Sequence, residues 1–391
     1  QADCKPAYFN EKGGNMKDLK ELREEIDKID RQMVSLYQER MEITIGVAEY
    51  KIETGKKVFD KEREESKLAT LTALGDSDFN KNGIRELFEQ IMSMSRKRQY
   101  QLLTAHGIYE KPDFTEVEKL DYREARIVFQ GTEGAYSQVA LKEYFGENTD
   151  SYQVETWRDA MEAIRNGEAD YAVLPIENSS AGIVSENYDL MVEYDNCIVG
   201  EQIIKIDHAL LGLPEAELSD ITDVYSHPQA LMQCGSYLES HREWEKHSLK
   251  NTAMAAQKIK ADGKKNKAAI ASSLTADIYG LKILEESIQE NKTNATRFII
   301  VSGKRIFTRN AVKISVCFEI PHESGSLYHM LSHFIYNGIN MNRIESRPVQ
   351  GKNWEYRFFI DFDGNLNDAA VQNALQGLKE ETISLKILGN Y

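Results

Sequence analysis

From about residue 17 to residue 53 the chain has no proline and no break in its apolar period. Leu19, Leu22, Ile26, Ile29, Met33 and Leu36 recur every three or four residues, and Gly55 follows as a stop. That pattern specifies one helix, roughly 55 Å long at ~1.5 Å per residue. A helix of that length outruns a compact monomer of this size, so a partner chain is expected along it. Carried on at the same spacing, the stripe reaches Arg40, Thr44, Val47 and Lys51. A rib that should be dry therefore carries cations.

The next two helices repeat the anomaly. One, about 60–74, aligns Asp60, Glu64, Leu68 and Leu71. The other, about 84–103, follows the polar turn GDSDFNKNG and aligns Ile84, Leu87, Ile91, Ser95, Gln99 and Leu102. Internal ion pairs, Arg40 with Glu64 for example, or side chains snorkelling at the stripe's edge would explain any one of these residues. Taken together they fit a small polar cavity inside a helical dimer, shaped for a dianion, because burying unpaired charge is costly.

At 391 residues the chain exceeds what one hydrophobic core usually spans. Residues 17–103 read as helices only, and 104–125, with Pro112, as a linker. From 126 to 303 short β-rich runs (RIVFQG, DSYQV, DYAVLPI, CIVGEQIIKI, HALLGL, KAAIASS, ATRFIIVS) alternate with helical stretches, an α/β pattern. Residues 311–391 read strand, helix, strand, strand, helix, strand, a ferredoxin-like βαββαβ unit. The fold class is thus multidomain: all-α, then α/β, then α+β. Residues 1–16 read as a disordered extension, with Met16 as the natural start.

Net charge is −15, which argues against nucleic acid and anionic membranes as partners. Cys4, Cys197, Cys234 and Cys317 show neither CxxC nor zinc spacing, so buried thiols in a reducing, cytoplasmic compartment are expected. No apolar run approaches the ~18 residues of a membrane span. His329 and His333 stand one turn apart with His322 upstream, and read as an exposed helix face rather than a metal site. No cofactor and no metal are expected.

In the middle segment, Ser226 followed by Gln229 reads as a capping box with Pro228 in the first turn, and Gln233 lies one turn on. Such a helix start is also an anion site. Asn178 and Ser179 follow the strand YAVLPI and read as the start of another helix. Gly131 and Gly134 suit a turn or close approach to a ligand, but they do not make a GxGxxG, so no dinucleotide site follows. In NATRFIIV, Thr296 and Phe298 face one side of a strand and Arg297 the other.

Three resemblances follow from longer stretches. MKDLKELREEIDKID, QERMEITIGVAEYK, VFDKEREESK and IMSMSRKRQ resemble the all-helical chorismate mutase family. The resemblance implies a pocket shared by two intertwined chains. It implies Arg23 (from the partner chain), Arg40 and Arg63 as cations for the substrate carboxylates, and Lys51 and Gln99 as donors to the ether oxygen. Asp60 and Glu64 would be hydroxyl contacts, and Ser95 a wall contact. The implied reaction, chorismate to prephenate, is a unimolecular rearrangement that needs only orientation and charge stabilisation.

FQGTEGAYSQVA, LPIENSSAGIV, YSHPQALMQC, NTAMAAQKI, AAIASSLTADIYGLKIL and NATRFIIV resemble prephenate dehydratases. That family has two α/β lobes around a cleft, like a periplasmic binding protein, and forms phenylpyruvate. The resemblance implies Asn178, Ser179, Ser226, Gln233, Thr296, Arg297 and Phe298 at the substrate, with the Thr296 hydroxyl as donor to the departing ring hydroxyl. The family's Gly-Pro-x-Gly-Thr-Phe-Ser reads Gly131-Thr132-Glu133-Gly134-Ala135-Tyr136-Ser137 here.

The βαββαβ unit resembles the ACT domain that follows prephenate dehydratases, where phenylalanine binds between two ACT domains and inhibits. The resemblance implies a phenylalanine site of Gly325, Ser326, Leu327, Asn340, Glu345, Ser346, Arg347 and Pro348, and a homodimer or homotetramer. Ser324 and Ser326 depart from the family's usual Pro-Gly-Ala-Leu. The rival expectation is a ligand-sensing binding protein with vestigial catalytic residues.

Overall fold

A stop at Gly55, in the left-handed conformation at φ 67°, ends the first helix where the sequence places it. The structure is a computed structural model and describes residues 18–349, 351–352 and 354–391, so the expected extension over 1–16, with Cys4 and Met16, lies outside the described residues. The chain divides into two units, Gln1–Tyr109 and Glu110–Tyr391.

The first unit holds α1 (Leu19–Thr54), α2 (Lys61–Thr72) and α3 (Asp78–Ala105). α3 starts at Asp78, inside the stretch expected to be a turn, because the Ser77 side chain accepts from the Asn80 amide at 3.2 Å and caps it. α1 and α3 run in the same direction, with Tyr37 against Met94 and Arg40 against Ser95. Ala48, Val58, Tyr100 and Leu103 form a small core between them. Over its first half α1 has no cover among the described residues: Leu19, Leu22, Ile26, Ile29, Met33 and Leu36 are 42–64 % exposed.

The second unit opens with β1 (Thr115–Val117). Next come β2 (Ile127–Gln130), α4 (Tyr136–Phe145), β3 (Ser151–Val154), α5 (Trp157–Arg165), β4 (Tyr171–Asn178), β5 (Gly182–Ile183), α6 (Ser185–Glu193) and β6 (Cys197–Lys205). A second lobe follows with β7 (Ala209–Gly212), β8 (Asp223–Ser226), α7 (Pro228–Gln233), α8 (Gly235–Glu239), β9 (Glu245–Ser248), α9 (Thr252–Asp262), β10 (Lys267–Ala271), α10 (Ser273–Tyr279) and β11 (Lys282–Glu285). The chain returns to the first lobe with β12 (Ala295–Ser302) and β13 (Ile306–Thr308). It ends in β14 (Lys313–Glu319), α11 (Ser326–Tyr336), β15 (Met341–Pro348), β16 (Tyr356–Asp363), α12 (Ala369–Glu381) and β17 (Ser384–Asn390), the expected βαββαβ order.

The second lobe is a sheet ordered β11-β7-β10-β8-β9. The first lobe and the C-terminal strands form one continuous sheet, β15-β16-β14-β17-β6-β12-β4-β2-β3. The join is a single parallel pairing of Gly389 with Ile198, and only glycine fits there: a Cβ on residue 389 would lie 2.1 Å from the Ile198 carbonyl oxygen. Two apolar cores cross that join. Phe129, Val173 and Phe298 pack into one with Phe318, Phe334 and Phe362, while Leu174 and Ile299 pack into the other with Cys317, Phe359 and Leu388. The boundary between 303 and 311 therefore separates topologies, not cores.

The stretch 110–125 is not a bare linker. β1 pairs with β13, and Phe114 is buried in the first of those cores. Three strand residues are too few to show a period. Cys197, Cys234 and Cys317 are buried free thiols, as expected. No described helix is long and apolar enough to cross a membrane.

Candidate active sites

In the helical unit the stripe's polar residues meet. Arg40, half-buried on α1, donates from Nη1 to Ser95 Oγ on α3, and the Ser95 hydroxyl in turn donates to the Ile91 carbonyl at 2.9 Å. Burial pushes the Arg40 guanidinium below its ordinary value, with Glu64 and Tyr37 acting the other way. Lys51 Nζ donates to the Val58 carbonyl at 2.7 Å. Buried Gln99 spends one amide hydrogen on the Ser95 carbonyl at 3.2 Å, while its Oε1 has no hydrogen-bond partner among the described residues.

Glu64 pairs with Arg96 rather than with Arg40, and the Arg96 guanidinium lies 5.0 Å from the centre of the Phe59 ring. Arg96 and Lys97, both buried, were missed by the sequence reading. For Arg96 a signal was present: Met92, Arg96, Tyr100 and Leu103 make a second stripe on α3, one residue round from the first. Asp60 is exposed and caps α2, accepting from the Arg63 amide at 3.1 Å, so one of its oxygens has a structural task. The Arg63 and Arg23 side chains are exposed. Arg23 lies about five turns, roughly 26 Å, along α1 from Arg40, so it does not reach this cluster within one chain.

In the α/β unit a break in strand register builds the site. Thr296 lies opposite Asn178 and Arg297 opposite Glu177, but Phe298 lies opposite Pro175, which leaves Ile176 as an extra residue in β4. Strict alternation would put Asn178 on the face of Leu174 and Ile176, in the core. The bulge turns it to the face of Thr296. Pro175, with no N–H, sits where the ladder breaks.

Asn178 Nδ2 then donates to Thr296 Oγ1 at 2.9 Å and to Asn294 Oδ1 at 2.9 Å. Its Oδ1 accepts from the amides of Ser180 at 3.0 Å and Ala181 at 2.8 Å. The segment after β4 is therefore an Asx turn and not the expected helix start; α6 begins at Ser185. Ser179 Oγ lies 3.3 Å from Asn294 Oδ1 and accepts from the Ala295 amide at 3.0 Å. With Thr296 Oγ1 already receiving a hydrogen, its own O–H is left to point at a further acceptor.

Ser226 is not the expected cap. It ends β8, fully buried, and donates to the Ile270 carbonyl at 2.6 Å. His227 caps α7 instead, through Nδ1 to the Gln229 amide at 3.2 Å. α7 has six residues, too short to support the anion site expected at its start. Gln233 Oε1 meets His208 Nε2 at 3.0 Å, and His208 Nδ1 lies 3.2 Å from the Tyr136 hydroxyl. Burial pushes the His208 imidazole below its ordinary value, which keeps it neutral.

Phe298 is 2 % exposed and belongs to the core, not to a ligand. Arg297 faces away from Thr296 and is neutralised by the protein. It lies 2.8 Å from Glu201 and 2.7 Å from Asp361, and donates to the Tyr391 hydroxyl at 2.9 Å. The Gly131–Gly134 loop is held by the second lobe: Thr132 donates to Asn251 at 3.3 Å and Thr275 to the Gly134 carbonyl at 3.1 Å.

In the C-terminal strands a cavity of about 190 Å³ is lined by Gly325, Ser326 and Leu327 with Tyr328, Tyr356 and Phe358. Asn340, Glu345, Ser346, Arg347 and Pro348 are not at this cavity. Asn340 binds Asn342 and Asp363, and Arg347 clasps Asp189 of α6 at 2.6 and 3.0 Å. His333 is not on an exposed face. It is 1 % exposed and packs on Gly377 of α12, 3.3 Å from Glu381. One helix period cannot show that α12 covers the side opposite the sheet.

Residues 127–306 match the family model described as prephenate dehydratase, and residues 22–100 the one described as chorismate mutase type II. The bifunctional chorismate mutase/prephenate dehydratase of Enterobacter agglomerans is 33 % identical over 377 residues, 95 % of either chain. Among solved structures, the prephenate dehydratase of Arthrobacter aurescens in complex with L-Phe is 33 % identical at a TM-score of 0.63, covering 68 % of this chain and 89 % of that one. GqqA, described as a novel type of quorum-quenching acylase, is 30 % identical at the same TM-score, covering 68 % and 97 %.

Proposed function

The chain belongs to the bifunctional chorismate mutase/prephenate dehydratase family, and from that premise we propose which residues carry each reaction. It is an enzyme of phenylalanine biosynthesis with an isomerase and a lyase activity. In the helical unit Arg40 and Arg63 bind the two carboxylates of chorismate. Lys51 and Gln99 donate to the ether oxygen as the C–O bond lengthens, and Glu64, held by Arg96, takes the ring hydroxyl. No proton need move: the unit holds the compact conformer and stabilises the charge that develops. Arg23 from a second copy completes the set. The exposed rib of α1 supports this, since an apolar stripe about 26 Å long needs a cover and a homodimer supplies both cover and cation.

In the α/β unit prephenate loses carbon dioxide and its ring hydroxyl. The electron pair of the C–carboxylate bond enters the ring, the C–OH bond breaks, and the departing oxygen takes a proton. Thr296 provides the hydrogen bond to that oxygen, and aromatisation supplies the driving force. The single observation that carries this reading is the Asn178 amide donating to Thr296 Oγ1, which aims the hydroxyl's hydrogen outward. Ser179 and Gln233 orient the substrate. Ser226 supports the cleft wall from behind.

The C-terminal βαββαβ unit is an ACT domain that binds phenylalanine. The cavity at Gly325–Leu327 supports this reading; Ser346 and Pro348, exposed on edge strand β15, would come from a second copy. Phenylalanine inhibits by favouring one arrangement of the subunits. Separate assays of chorismate and prephenate consumption, with and without phenylalanine, test the whole reading. Absence of phenylpyruvate from prephenate would favour the ligand-sensing alternative.

A further inference from the structure

Four charged side chains form a closed alternating square on the far side of the strands that carry Asn178 and Thr296. Glu177 and Arg297 are cross-strand partners on β4 and β12. Arg343 and Asp361 are cross-strand partners on β15 and β16. Across the gap between the strands, Arg343 Nη1 lies 2.7 Å from Glu177 Oε2, and Arg297 Nη1 lies 2.7 Å from Asp361 Oδ2. Each charge thus has an opposite charge beside it on its own ladder and another facing it. Arg343 is the more enclosed of the first pair, at 13 % side-chain exposure against 37 % for Glu177, and its guanidinium lies 5.3 Å from the centre of the Tyr188 ring.

The bulge in β4 gives the square its significance. It puts Glu177 on the face of Arg297 and turns the next residue, Asn178, to the face of Thr296. Ile176 is the residue left out of the β4–β12 ladder, while Glu177 pairs with Arg297 on one side and Ile183 of β5 on the other, so its side chain leaves a paired position on the face away from Thr296. There Arg343 meets its carboxylate from the C-terminal strands and ties the bulged end of β4 to them.

We propose that Glu177 and Arg343 are positioning residues of the dehydratase reaction: their ion pair holds the bulged end of β4 so that Asn178 presents its amide to Thr296. This rests on the assignment of Asn178 and Thr296 to the dehydratase site. Neither positioning residue touches substrate. The C-terminal strands thereby supply part of the dehydratase scaffold.

The test is the steady-state kinetics of the full chain on prephenate, with the chorismate reaction as an internal control. Glu177→Gln, which keeps the shape, and Arg343→Met each lower dehydratase kcat on the order of 10- to 100-fold, as a displacement near 1 Å does. KM stays within about two-fold and mutase turnover is unchanged. The double variant loses no more than either single one, because both remove the same contact, and Arg343→Lys recovers most of the loss. Wild-type kcat in either single variant overturns the proposal. So do additive losses, or a raised KM at unchanged kcat, which would mean that Glu177 meets the substrate itself. Should the unsubstituted chain fail to convert prephenate, the site assignment falls first and the proposal with it.

Discussion

Arg40 in the helical unit, half-buried, and Arg297 in the α/β unit, more deeply enclosed, are the same residue type, and their proton affinities move in opposite directions. Burial lowers that of Arg40, which hydrogen-bonds a neutral hydroxyl on Ser95. Burial lowers that of Arg297 too, but Tyr391, Asp361 and Glu201 more than offset it. A half-buried cation whose neighbouring charges do not offset its desolvation is a socket for an anion. One saturated by the protein is a fastener. Residue type does not distinguish the two, and burial alone would order them the other way; the partners decide.

Removing the fastener breaks the comparison most directly. Arg297→Met leaves Asp361 and Glu201 facing an apolar chain, so the α/β unit loses about 3–5 kcal/mol of stability. In a calorimetric scan only the transition of that unit moves down. A variant that lost activity at unchanged stability would show Arg297 to be a ligand-binding group after all.

The socket gives the opposite result. Arg40→Ala lowers mutase kcat/KM about 10²–10³-fold, or about 3–4 kcal/mol, with the chain still folded and prephenate turnover intact. Spectrophotometric loss of chorismate measures it, and near-normal turnover would make Arg40 a fastener too. Thr296→Ala lowers dehydratase turnover about 10²-fold and leaves the mutase untouched. A joint fall in both activities would point to misfolding.

The smallest effect sharpens the contrast through pH. His208 is held below its ordinary value of 6.5 when folded. The unfolded chain therefore binds a proton that the folded one refuses. Its contribution to stability is full above 6.5 and is lost as pH falls below it, on the order of 1 kcal/mol per pH unit. The midpoint of the α/β unit falls with acidification, and His208→Gln flattens that slope. A slope that survives the substitution assigns it to other groups.

The sequence was most legible where a period runs long. α1 with its Gly55 stop, the final βαββαβ order and the stripe that unites Arg40, Ser95 and Gln99 all follow from spacing over many residues. It was least legible where structure depends on a neighbour distant in sequence. Ser226 reads as a cap until β10 claims its hydroxyl, and His333 reads as exposed until α12 covers it. Arg297 lies on the side of its strand that alternation assigns, but its partners come from β6, β16 and residue 391. Arg96 was missed because a helix can present two stripes and only one was traced.

The supernumerary Ile176 sets a parity. Side chains on a strand fall to left and right in turn, so whether Ile176 is counted in the ladder or bulged out of it decides which of Glu177 and Asn178 lies on the side of Thr296. The same strand with Ile176 drawn into the ladder, instead of bulged out of it, would offer the carboxylate of Glu177 to Thr296 and hide the amide of Asn178. It would keep its composition, charge and fold, and fall silent on prephenate.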